Sequence, residues 1–128
     1  MIPKEDFKRV SEKIVEIVMD GKPPEVTLAL IKSVDRCKEE ESEEGRISCL
    51  VSMLVEPQFR DKIPTMLREK IAKNPKEVIK KFDELSKKIR DFDYYETPRL
   101  LAMGAGHRHV REEFNKKIKE PFLREILG

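Results

Sequence analysis

Along most of this chain apolar residues recur at intervals of three and four, and almost nowhere do they alternate singly with polar ones. No other feature constrains the fold as strongly. Steps of three and four gather side chains on one side of an α-helix, whereas a half-buried strand needs a period of two. Phe7, Val10, Ile14, Ile17 and Val18 make one such stripe, and Val78, Phe82, Leu85, Ile89 and Phe92 make another. Only "ISCLVSMLV", residues 47–55, admits a strand reading, and its length and the four-residue step from Ser48 to Ser52 favour helix. The expected fold class is all-α, a compact bundle of five or six helices in an antiparallel helical-hairpin or short α-solenoid-like arrangement. A chain of 128 residues is long enough to bury a core as a single domain, and one helical domain over residues 1–128 is expected.

Proline and glycine set the expected boundaries. A first helix runs from about Pro3 to Met19 with Gly21 as its stop, and "GKPP" turns the chain into a second helix near Pro24. The second helix and a third, from about Gly45 to Glu56, carry apolar residues on more than one face, which predicts central positions in the bundle. A fourth helix through Ile63, Met66, Leu67 and Ile71 ends near Asn74. Asn74 and Pro75 cap and open the fifth. The openings "KPPEV" and "NPKEV" look alike, and this is read as one common Pro-initiated start used twice rather than as a duplicated hairpin. "DFDYYE", residues 91–96, is expected as a connection, Thr97 and Pro98 as the start of another helix, and Pro121 as the separator of a last turn.

The stretch "TPRLLAMGAGHRHVREEF", residues 97–114, holds both histidines and two of the five glycines within six positions. It lacks the third glycine and the preceding strand of a dinucleotide fingerprint, and the chain has no P-loop. Leu100, Met103, His107, Val110, Phe114 and Ile118 keep helical phase across the glycines, which predicts one unbroken helix with Gly104 and Gly106 in a close-packed seam. His107 then lies in the apolar stripe and is expected to be buried or half-buried, while His109 faces solvent. The competing reading breaks the helix and frees backbone amides at Gly106 for an anion. His107, Arg108, His109 and Arg111 are the candidate ligand- or anion-binding residues. His109 and Glu113 form only a weak candidate metal pair, since two ligands from one turn are more often an exposed helix pair. No catalytic residue, cofactor motif or further metal ligand is assigned.

Charged residues make up 41% of the chain, yet the net charge is only +2, so the surface is expected to be laced with ion pairs. Such a balance, without tryptophan, is the composition expected of a thermophile. The charge is uneven: residues 60–91 hold 11 Lys or Arg against 6 Asp or Glu, while "EEESEE" at 39–44 is acidic. This makes a nucleic-acid face the alternative, with Lys76, Lys80, Lys87, Arg108, Arg111, Lys116 and Lys117 as its candidates. Acid-then-lysine steps such as Glu77 with Lys81 and Asp83 with Lys87 instead suit pairing along a solvated helix. If the acidic run turns a hairpin, Cys37 and Cys49 stand at comparable height; a disulfide is geometrically open, with free buried thiols the stronger expectation.

The function read from these residues is that of a small non-catalytic protein-interaction module or assembly subunit, binding a protein partner or a second copy of itself. "MIPKEDFKRV" has no apolar run of signal-peptide length, so a cytoplasmic location and no membrane are expected. A nucleic-acid-binding accessory protein using the basic 60–128 half is the second reading. A small metal-dependent hydrolase centred on His107 to Glu113 is the third.

Overall fold

The computed structural model describes residues 3–20 and 22–127, and every regular element among them is helical. A 3₁₀ turn leads into α1 (Phe7–Val18). Then come α2 (Pro24–Val34), which tightens into 3₁₀ geometry over Asp35–Glu39, and α3 (Glu43–Leu54). The single turn α4 (Pro57–Arg60) precedes α5 (Thr65–Lys73) and α6 (Pro75–Asp91). The last half of the bundle is completed by α7 (Thr97–Ala102), α8 (His107–Phe114) and α9 (Glu120–Leu127). Gly21, the expected stop of the first helix, lies outside the described residues.

Two joins give this fold its character. Between α6 and α7, residues Phe92–Glu96 form a π-helical turn in which the Thr97 amide donates to the Phe92 carbonyl, and the helix does not stop. Between α8 and α9, residues Asn115–Lys119 do the same, with the Glu120 amide on the Asn115 carbonyl. The chain therefore ends in two long rods, α6–α7 and α8–α9. Counted as unbroken runs, the described residues form seven helical segments, one of them only the turn α4, where five or six were expected.

The physical reason lies two residues past each π turn, at Pro98 and Pro121. A proline inside an α-helix has no amide to donate, and its ring clashes with the carbonyl four residues earlier. Those carbonyls belong to Tyr94 and Lys117, both inside the π turns, where one extra residue widens the helix. Neither "DFDYYE" as a connection nor Pro121 as a separator survives in the structure.

The rods are joined by a real break at Met103–Gly106, where an unbroken helix was expected. Gly104 has φ +85, the left-handed region that side chains avoid. Its amide donates to the Leu101 carbonyl, and the Ala105 amide donates to Leu100. These two bonds are the Schellman termination, with glycine at the position that requires positive φ. A close-packed seam is also excluded: a Cβ added at Gly104 or Gly106 would meet nothing within 4 Å.

The core is one contiguous cluster running from Phe7 to Ile126. Helices α1 and α6 are central to it, since they pack on each other and α6 also packs on α3 and α5. Phe7, Val10, Ile14 and Val15 of α1 and Phe82 and Ile89 of α6 are fully buried. Each such side chain contributes about 1.5–3 kcal/mol. The central place expected for α2 is corrected: it buries only Leu30 and Val34, and Leu28 is 57% exposed.

A local device holds the α2–α3 hairpin. Ser42 caps α3 by accepting from the Gly45 amide at 2.9 Å, and Glu43 and Glu44 stand in the first turn, where the helix dipole favours carboxylates. Buried Arg46 donates to the carbonyls of Glu40 and Glu41. Cys37 and Cys49 are joined by a disulfide across a Cα–Cα distance of 5.5 Å, in place of the free thiols expected. Closing a loop over 12 positions of sequence contributes about 2–3 kcal/mol in the chain-entropy account.

Candidate functional site

The break at Gly104 sets the position of α8. Gly106, with φ −86 and ψ 173, is its N-cap, and no side chain caps its first turn. From there α8 returns as an amphipathic helix, yet none of its residues is buried. Val110 and Phe114 are only partly covered, because between α8 and the body of the bundle lies a cleft of about 620 Å³. This is the size range of small-molecule sites.

Three elements wall the cleft. Helix α1 supplies Lys13, Glu16 and Ile17, which share one of its sides. The first π turn and the start of α7 supply Phe92, Asp93 and Thr97, and α8 with the second π turn supplies His107, Val110, Arg111, Phe114, Asn115 and Lys119. Both π turns thus open onto the same space. Phe92 and Phe114 meet edge-to-face there, with ring centroids 5.3 Å apart.

The polar groups differ in how far they are already committed. Asp93 accepts from Lys13 at 2.8 Å and also from Arg9. The Lys13 ammonium also lies 5.3 Å from the centre of the Phe114 ring. Burial, and then the Arg9 charge, pull Lys13 below the usual lysine range, with Glu16 opposing them. Lys119 is held by Asp20 at 2.7 Å. Arg111 is exposed and makes no ion pair among the described residues. It is the cation in the cleft that stands open to a ligand.

Compared with protein-family models, with curated proteins and with solved structures, the chain finds no significant match.

The four candidate ligand residues are divided by the geometry of the cleft. His107 and Arg111 line the cleft together, one helical turn apart, whereas Arg108 and His109 do not. His107 is exposed, not buried or half-buried in an apolar stripe. Arg108 is 92% exposed and pairs with Glu112 at 3.2 Å. His109 is exposed and Glu113 bonds Lys117 at 3.3 Å; among the described residues no group of three or more His, Cys, Asp or Glu converges for a metal.

Of the candidate nucleic-acid residues, Lys76, Lys80, Lys87 and Lys116 are exposed. Lys117 is shared between Glu96 at 3.0 Å and Glu113. Lys81 turns away from its own helix to bond Glu125 of α9. Sequence reasoning missed Lys13, Asp93, Asn115 and Lys119, which come from segments far apart in the chain. The two prolines inside rods were the available signal, since each marks the π turn that carries cleft residues.

Exposed apolar side chains also recur along the segment from the first π turn through α7 to the tip of the hairpin. Of six large hydrophobic residues exposed among those described, four fall within residues 94–103: Tyr94 at 55%, Tyr95 at 72%, Leu101 at 47% and Met103 at 72%. Tyr94 is tethered, its hydroxyl donating to Asp6 at 3.2 Å and its ring near the guanidinium groups of Arg9 and Arg90. Below the tip, Glu96 accepts from Arg99 at 2.8 Å and from Lys117 across the rods. These two bonds hold its carboxyl down at about 2.

Proposed function

We propose that this all-helical protein is a non-catalytic interaction module that binds a protein partner through the tip of its α7–α8 hairpin. The observation that carries the reading is the exposed pair Leu101 and Met103 at the end of one rod, with exposed Tyr95 about two turns before them in the first π turn. Large apolar side chains left in water at one place mark an interaction surface, and aromatic and Met residues are enriched at the centres of such interfaces. Arg99 and Arg108 are exposed around the same hairpin, so the partner that fits is a protein with an apolar socket rimmed by carboxylates.

Among the described residues no helix is long and apolar enough to cross a membrane. We place the module in the cytoplasm of a thermophile. The ion pairs that link its helices and its disulfide support this, since cytosolic disulfides persist in hyperthermophiles.

The test is capture from native extract with the Leu101→Glu, Met103→Glu double variant beside the parent chain. Both positions are exposed, so the thermal melt should shift little. The expected result is a protein partner that survives nuclease treatment and is lost in the double variant. Capture that is unchanged by the two substitutions, or that disappears with nuclease, would contradict the reading.

A further inference from the structure

We infer that the cleft between α1, the first π turn and α8 is a binding site for a small amphipathic carboxylate, an apolar body bearing one negative charge. The apolar part is read from the walls. Ile17, Phe92, Val110 and Phe114 face the same space from three elements, and α8 is an amphipathic helix with no buried residue. A space of about 620 Å³ beside a wet apolar face is what a ligand body would occupy.

The charge is read from which groups remain uncommitted. Lys13 is held by Asp93 and Lys119 by Asp20, which leaves Arg111 as the open cation. A guanidinium presents a planar fork of donors that matches a carboxylate in bidentate fashion. His107 one turn before it, with Thr97 and Asn115, offers further hydrogen-bonding groups along the rim. Glu16 and Asp93 also line the cleft, so its surplus of positive charge is small. That favours a monoanion over a phosphate ester, whose second charge would face two carboxylates. This inference goes beyond the tip surface, uses different residues and fails separately from it.

Benzoate, which combines one ring with one carboxylate, is the probe, with benzyl alcohol and inorganic phosphate as its apolar and anionic halves. Binding is followed by amide chemical shifts of the full chain. Benzoate should saturate with a Kd at or below about 1 mM, its shifts confined to Lys13–Ile17, Phe92–Thr97 and His107–Lys119. Each half-probe should bind at least about tenfold more weakly. Arg111→Gln should cost benzoate about tenfold or more, while Lys32→Gln on exposed α2 should change nothing. Arg111 is exposed, so its replacement leaves the fold intact, which the same spectra verify. The inference is overturned by benzoate shifts that do not saturate, by an affinity that Arg111→Gln leaves unchanged, or by either half-probe binding as tightly as benzoate.

Discussion

Residues 92–97 and residues 103–106 sit a few positions apart on the same hairpin, and each behaves as the other was expected to. The first contains acidic residues followed by Thr97 and Pro98, all the marks of a boundary, and the helix runs through it. The second keeps apolar residues in helical phase, and the helix stops there. The difference teaches that a proline and a glycine are not equivalent punctuation. A proline's problem is local to one carbonyl and one missing amide, and a single inserted residue relieves both without ending the helix. A glycine at positive φ changes the direction of the chain, and no neighbouring residue can substitute for it.

The largest expected effect tests the proline half of that contrast. Deleting Tyr95, the most exposed residue of the first π turn, removes the extra residue and forces Pro98 against an ordinary helix. The cost should be about 3 kcal/mol in the parent chain. In a Pro98→Ala background the same deletion should cost much less, giving a coupling on the order of 2 kcal/mol in a denaturation cycle. A coupling near zero would mean that the π turn has some other cause.

Next comes the glycine half. Gly104→Ala should destabilise by about 1–2 kcal/mol, because a Cβ disfavours positive φ. Nothing lies within 4 Å of that Cβ, so the cost is conformational and Gly104→Asn should recover much of it. Gly106, at φ −86, has no such requirement, and Gly106→Ala should stay within about 0.5 kcal/mol of the parent. Equal penalties at the two glycines in chemical denaturation would erase the distinction.

The smallest effect concerns the bonds that hold the two rods together. The Glu96 carboxyl is held at about 2 by Arg99 and Lys117, below its ordinary value of 4.5. A depressed carboxylate contributes stability that is fully present above 4.5 and is lost as pH falls toward 2. The hairpin should therefore loosen across that window, and Glu96→Gln should flatten the acid limb. Direct titration of the Glu96 carboxyl by NMR checks the shift itself.

The all-α class and the core stripes of α1 and α6 were legible because they rest on period, which burial enforces along many residues at once. Helix starts at Pro24 and Pro75 were legible for the same local reason that Pro98 misled: proline is favoured in a first turn, and sequence does not say whether a π turn stands before it. Phase across Gly104 misled because Met103 and His107 match a helical stripe while both are exposed. The half-site on α8, His107 and Arg111, was within reach of sequence. Lys13 and Asp93 were not, since only packing brings α1 against the first π turn.

Backbone Cα and carbonyl chemical shifts over residues 88–118 test the central contrast most directly, since they report helix and left-handed backbone residue by residue. The expected result is helical shifts without interruption from 88 to 102, a protected Thr97 amide, a left-handed signature at Gly104, and helix again from His107. Helical shifts running unbroken from 97 to 118, with an irregular stretch at 92–96, would contradict it.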